Sequence, residues 1–226
     1  MSLPALTSLR QLDTHHLVSS KYSLPDESVL TRIADDDAHL ADIFDLDHAD
    51  NDRLVGENNL LPGIGIGELV FGVPYHRMVN AAFCHAAPTG ARFNASDRGA
   101  WYAGFTVKVS QAEIAFHKSV ELAEVDWWQQ SVTYDDYLVD FGGSFHDIRA
   151  DRTYADCLDP ASYKSSQTLG ALLLEGGSAG VLYPSVRAKT GDCIVCFRPA
   201  MVGNLRKSLT YRFTWDGAKT PVISVE

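Results

Sequence analysis

The chain has no block of lysine and arginine anywhere in its 226 residues, and 29 acidic side chains outnumber 19 basic ones for a net charge of -10. Binding a phosphate backbone needs a basic patch that displaces counterions, so nucleic acid is not an expected ligand. No run approaches the ~20 consecutive apolar residues of a membrane-spanning helix. The opening stretch MSLPALTSLRQLDTHH also lacks the continuous apolar core of a secretory signal. A soluble, cytoplasmic protein without a membrane partner is expected. The most apolar region, NLLPGIGIGELVFGVPYH, is broken by Pro62, Glu68, Pro74 and four glycines, and reads as a connection into a strand.

Cysteine is scarce as well. Of Cys84, Cys157, Cys193 and Cys196 only the last two are close together, and a zinc site would need a second pair of similar spacing. CIVC lies in DCIVCFRP, a β-branched and aromatic run that reads as a buried strand, whereas redox CxxC pairs sit at helix N-termini. Core cysteines pointing to opposite faces are expected, and no metal. Glycine loops that cradle phosphate are missing too: GIGIG lacks the last glycine of the dinucleotide fingerprint and no G-x-x-x-x-G-K-[ST] occurs. GGSAG, Gly176 to Gly180, matches G-x-S-x-G. The nucleophile elbow needs a strand before its serine and a helix after it, and here helix-like LGALLLE precedes while strand-like GVLYPSV follows. The motif reads as a helix-terminating turn.

What is present suffices for one sizeable core: 46% of the residues are hydrophobic, and a chain of this length buries roughly 70% of its unfolded surface. Residues 1 to about 60 read as helical and acidic, with a helix start at Pro25-Asp26-Glu27, a helical spacing of Val29, Leu30, Ile33, Leu40, Ile43 and Phe44, and a solvated face at Asp35 to Asp37. From Glu68 the pattern shortens, and GELVF, YHRMV, GARFN and AWYAG read as brief strands. Ser110 to Val125 reads as an amphipathic helix with Ala112, Ala115, Phe116, Ser119 and Ala123 on one stripe and Glu113 and His117 on a neighbouring face. Strands are expected at SVTYDDYLVDF, SFHDIR, GVLYPSV, DCIVCFRP and LTYRFTW, and a helix at SSQTLGALLLE. The order is α+β, without the regular alternation of a doubly wound parallel sheet. We divide the chain into an N-terminal extension, 1–74, packed on a core domain, 75–226.

The polar residues left over are Arg92, Tyr102, Glu113 and Ser185, with His117 beside the glutamate. Each has an ordinary structural reading. Arg92 could pair with a carboxylate, Tyr102 could be core, Ser185 could be a turn residue, and Ser110-x-x-Glu113 has the form of a capping box. Spacing alone leaves these readings open.

Taken in order, R-F-N at Arg92, G-A-W-Y at Gly99 to Tyr102, A-E-x-x-x-H at Glu113 and His117, and Y-P-S-V-R at Tyr183 to Arg187 resemble the RES domain family, named for arginine, glutamate and serine. The resemblance spans about residues 75 to 200. It implies an ADP-ribosyltransferase-like fold, a mixed β core with flanking helices, and a toxin of a bacterial toxin–antitoxin pair that consumes NAD⁺. The family's usual Gly-Gly-Arg-Trp-Asn stands here as Gly90-Ala91-Arg92-Phe93-Asn94, in which phenylalanine keeps an aromatic plane and alanine implies a different loop if the backbone there needs a positive φ.

By the same resemblance, Arg92 clamps the NAD⁺ diphosphate through its planar fork, Tyr102 stacks on the nicotinamide or its ribose, and Glu113 stabilises the cation that develops as the glycosidic bond breaks. Ser185 fixes the geometry of Glu113 or of the substrate, His117 orients the glutamate, and Asn94, Arg77 and Arg187 add cofactor contacts. The ADP-ribose acceptor is expected to be a protein target, with phosphate (an NAD⁺ phosphorylase) and water (a glycohydrolase) as alternatives. The expected partners are a helix-turn-helix, Xre-like antitoxin that covers the site and a second copy of the toxin in the complex. A non-catalytic RES scaffold that buries Arg92 and Glu113 as a structural pair is the competing reading.

Overall fold

The computed structural model describes residues 2–23 and 63–226. Seven strands form one mixed sheet: β1 (Leu6–Ser19), β2 (Trp101–Gly104), β3 (Gln129–Asp147), β4 (Gly180–Pro184), β5 (Asp192–Cys196), β6 (Gly203–Asp216) and β7 (Val222–Val225). Their order is β1-β2-β5-β4-β3-β6-β7, and β1 also pairs with β3, so five strands, β1, β2, β5, β4 and β3, close into a ring. Only the β3–β4 pairing is parallel. Among the described residues three α-helices accompany the sheet: α1 (His76–Cys84), α2 (Val107–Glu124) and α3 (Lys164–Glu175). None among the described residues is long and apolar enough to cross a membrane.

The first described segment departs from the helical expectation. Leu6–Ser19 is a strand laddered to β3 from Leu6 opposite His146 to Ser19 opposite Tyr134. A bulge between Gln11 and Thr14, with Asp13 at φ 54, interrupts the side-chain alternation that would otherwise signal a strand. The helical pattern from Pro25 to Phe44, with its Asp35–Asp37 face, lies outside the described residues.

Further corrections follow. YHRMV is not a strand but the start of α1, whose Val79 and Phe83, four apart, bury one face. GELVF starts within a 3₁₀ turn, Ile66–Glu68, and GARFN is a tight turn with a single bridge between Ala91 and Asn94. SVTYDDYLVDF and SFHDIR fuse into the one long strand β3. Helix α2 begins at Val107, three residues before Ser110, and its buried residues are Val109, Ser110 and Leu122. The capping box therefore does not form: the Ser110 hydroxyl accepts from Gly104 N at 3.1 Å and donates to His15 O at 2.7 Å, tying α2 to β2 and β1.

The two sheet faces carry separate cores. On one, Trp101, Ala103, Leu182, Ile194 and Cys196 pack with Phe141, Phe145 and the Val79–Phe83 face of α1. On the other, Val181, Tyr183, Cys193 and Val195 pack with Phe93, Val109, Leu169 and Leu173, drawing in α2 and α3. Cys193 and Cys196 point to opposite faces, as their spacing in a strand requires, and all four cysteines are buried. GGSAG is the turn that ends α3, with Gly177 at φ 78.

Candidate active site

Arg92 is carried on a turn that glycine makes possible. Gly90 has φ +69, and a Cβ there would lie 2.2 Å from Asn94 O, so no other residue fits without moving the chain. Gly90 N donates to Ala87 O at 2.7 Å and Ala91 N to Asn94 O at 2.9 Å. Ala91 itself is not among the positive-φ residues. The alanine at the family's second glycine position is thus accommodated, because the left-handed residue is Gly90.

Beyond the turn the side chains diverge. Phe93 is buried against Tyr183, ring centroids 4.9 Å apart. Arg92, only 6% exposed, sends Nη1 to Cys157 O at 3.1 Å and Asp159 O at 3.0 Å, and its Cζ lies 4.8 Å from the Tyr163 ring centre. Both hydrogen bonds use Nη1; among the described residues Nε and Nη2 make none.

Tyr102, on β2, turns its hydroxyl back to the same loop. It donates to Asn94 Oδ1 at 2.7 Å and accepts from Phe93 N at 2.9 Å. Burial raises its pKa well above the usual phenol value, so it remains a protonated donor. The Asn94 amide also donates to Ala95 O and Arg98 O, so this carboxamide holds the loop.

Glu113 meets Ser185 across 72 residues of sequence: Ser185 Oγ donates to Oε1 at 2.9 Å. The same hydroxyl accepts from Arg187 N at 3.2 Å and Ala188 N at 2.9 Å, so the turn after β4 aims the serine at the carboxylate. Arg92 and Glu113 are not paired with each other: among the described residues, carbonyls and Tyr163 hold the first and Ser185 the second. His117, one turn beyond Glu113, has its pKa lowered chiefly by dehydration; Glu113 opposes the shift, while Arg187 and Arg92 reinforce it. Arg187 stacks on Phe116, Cζ to ring centre 3.4 Å, and Nη2 donates to Pro160 O at 2.8 Å, while its buried Nε has no partner among the described residues.

Tyr183, on β4, is buried. Its phenol is raised well above the usual range, first by burial, then by Cys193, Glu113 and Tyr102, against the pull of Arg92. Arg92, Tyr102 and Glu113 stand on three separate elements, a loop, β2 and α2. Arg77 does not join them: it is exposed on α1, whose buried face packs with Trp101 and Ala103 on the opposite side of β2 from Tyr102.

An open cleft of about 560 Å³, lined among others by Thr89, Tyr163, Lys164, Gln167 and Thr168, flanks the Arg92 loop. A smaller cavity of about 270 Å³ lies across the loop, between Asn94, Arg98, Leu174 and Phe197. Neither is lined by Arg92, Tyr102, Glu113 or Ser185; the cleft reaches the arginine only through Tyr163, whose ring lies under the guanidinium. Tyr163, Gln167 and the carbonyls of Cys157 and Asp159 were not legible as site residues. SSQTLGALLLE signals only a helix, and a backbone acceptor leaves no mark in a sequence.

The RES domain model matches residues 69–216. No curated protein matches the chain by sequence. Among solved structures, a chain in the crystal structure of the M. tuberculosis MbcT–MbcA toxin–antitoxin complex aligns with a TM-score of 0.42 and 14% identity, over 54% of this chain and 71% of that one. With the family model covering well over half of its length, the chain belongs to the RES domain family.

Proposed function

We propose that this protein is the toxin of a toxin–antitoxin pair, which cleaves the nicotinamide–ribose bond of NAD⁺ and transfers ADP-ribose to a cellular protein. The observation that carries the proposal is the Ser185–Glu113 hydrogen bond, which joins two residues 72 positions apart and fixes one carboxylate. As the bond breaks, its electron pair leaves with the pyridinium nitrogen as neutral nicotinamide, and positive charge develops on the ribose. Glu113 accepts a hydrogen bond from a ribose hydroxyl and stabilises that charge, an interaction that strengthens toward the transition state. The incoming nucleophile bonds to the ribose C1 and gives up its proton to the surrounding water.

Arg92 supports a diphosphate clamp because its Nε and Nη2 are not used by the described residues, while Nη1 anchors the guanidinium. Tyr102 offers a ring held at its hydroxyl by the Arg92 loop. His117, kept neutral by its lowered pKa, does not compete with the ribose cation for Glu113. In this reading NAD⁺ is a substrate, no metal takes part, and the toxin acts in the cytoplasm as a homodimer silenced by a helix-turn-helix antitoxin over the site.

The test is release of nicotinamide from labelled NAD⁺ by purified protein with buffer alone, with phosphate or with cell extract, followed by mass analysis. Labelled protein in the extract arm is the expected product; ADP-ribose phosphate or free ADP-ribose would replace the protein acceptor by phosphate or water. Glu113→Gln is expected to lower turnover about a hundredfold. Absence of nicotinamide in every arm, or full turnover by Glu113→Gln, would overturn the reading.

A further inference from the structure

The loop that carries Arg92 has almost no regular structure, and its carbonyls must find partners outside it. One side chain reaches three of them, its two N–H groups shared among the three carbonyl oxygens. Gln167 Nε2 lies 2.9 Å from Thr89 O, 3.0 Å from Ala91 O and 3.2 Å from Asn94 O, on both sides of Arg92 in sequence. Asn94 O already accepts from Ala91 N, so Gln167 caps the small bridge that closes the turn.

Gln167 also ties this turn to the opposite side of the guanidinium. It stands in the first turn of α3, where its backbone N donates to Tyr163 O at 2.8 Å, and Tyr163 is the residue whose ring lies under Arg92. One turn further on, Gly170 brings the helix backbone against the same loop: a Cβ there would come within 2.0 Å of Phe93 O. A carboxamide is suited to this place because it presents two donors from a single nitrogen, whereas a carboxylate of the same shape presents none.

We propose that Gln167 is a positioning residue for NAD⁺, acting through Arg92: it locks the Gly90–Asn94 turn to α3 so that the free edge of the guanidinium stays aimed at the diphosphate. The assignment rests on the NAD⁺-cleaving reading of the site. Because a diphosphate clamp holds ground state and transition state alike, its loosening appears in KM and leaves kcat nearly unchanged.

The experiment measures nicotinamide release by the wild type, Gln167→Met, Gln167→Lys, Arg92→Lys and the double variant Gln167→Met/Arg92→Lys. Methionine keeps the volume and removes the donors; lysine restores donors. The expected result is a KM for NAD⁺ raised about tenfold in Gln167→Met with kcat within about twofold, partial recovery in Gln167→Lys, and no further rise when Gln167→Met is added to Arg92→Lys. Should Gln167→Met not fold, Gln167→Glu, equal in volume, takes its place in the same cycle. An unchanged KM with only a lower melting temperature, or fully additive effects in the double variant, would reduce Gln167 to a structural residue and overturn the proposal. A wild type that releases no nicotinamide would instead remove the reading beneath it, and the proposal with it.

Discussion

Replacing Arg92 by alanine should raise KM for NAD⁺ and replacing Glu113 by glutamine should lower turnover about a hundredfold, but only the first should weaken the fold. The partners of the two side chains separate them. Arg92→Ala withdraws the Nη1 donor from Cys157 O and Asp159 O and the cation from the face of Tyr163. Cys157 is buried and Asp159 exposed, so water can replace the donor at the second carbonyl and not at the first. One stranded buried acceptor costs about 1–3 kcal/mol, and loss of a partly buried cation–π contact adds about 1 kcal/mol. For a chain of this size each kcal/mol lowers Tm by roughly 2–4 °C, which puts Arg92→Ala roughly 5–15 °C below the wild type.

Glu113→Gln keeps an oxygen for Ser185 Oγ, now 2.9 Å from Oε1, and should move Tm by less than about 2 °C. Thermal unfolding followed by circular dichroism, run beside the nicotinamide assay, reads both quantities on the same samples. If Arg92→Ala melted with the wild type, the carbonyls would not depend on this guanidinium, and the picture of an arginine anchored on one edge and free on the other would be wrong.

Ser185→Ala should lower kcat about 5–30-fold, the kinetic equivalent of roughly 1–2 kcal/mol for a hydrogen bond to a half-buried carboxylate, and should add nothing in the Glu113→Gln background; an equal loss in both backgrounds would detach the serine from the glutamate. Gly170→Ala should destabilise by about 1–3 kcal/mol and raise KM for NAD⁺, because a Cβ 2.0 Å from Phe93 O forces α3 away from the Arg92 loop; an unperturbed melting curve and KM would refute the close approach. In acid, Asp147 contributes a definite limb of the stability curve. Hydrogen bonds from Arg149 hold its pKa below the ordinary value of 3.8, so its contribution is complete above that value and is lost as pH falls through the depressed one. Asp147→Asn should therefore flatten the stability slope below about pH 4; a slope identical to the wild type would exclude this ion pair from acid unfolding.

What the sequence made legible was local. The end of α3 at Gly176-Gly177, the strand around CIVC with its thiols on opposite faces and the helix carrying Glu113 each follow from turn residues or periodicity within a dozen positions. Strand β1 was illegible for the converse reason: its partner β3 lies more than a hundred residues away, and the bulge at Asp13 breaks its alternation. Helix α1 has β-branched and aromatic letters at its start, and becomes a helix because Val79 and Phe83 find a core on the far side of the sheet. The site divides along the same line. Residue types in order pointed to Arg92, Tyr102, Glu113 and Ser185, but the partners that aim Arg92 are backbone carbonyls, an aromatic face and one glutamine in an otherwise ordinary helix.

That division bears on how the site keeps its shape. Glu113 and Ser185 stand on a helix and at the end of a strand, so the framework of α2 and β4 fixes their relation. Arg92 stands on a loop, and its position depends on ties to two further segments: α3 through Gln167, and the 157–163 stretch through Cys157, Asp159 and Tyr163. The 157–163 stretch is held a second time, by Arg187 at Pro160 O, and Arg187 follows Ser185 by only two residues. The turn that orients the carboxylate partner thus also steadies the support of Arg92. Movement of Pro160 would be felt at Arg92 and Arg187 together, whereas Glu113, held by Ser185 alone among these ties, would keep its place.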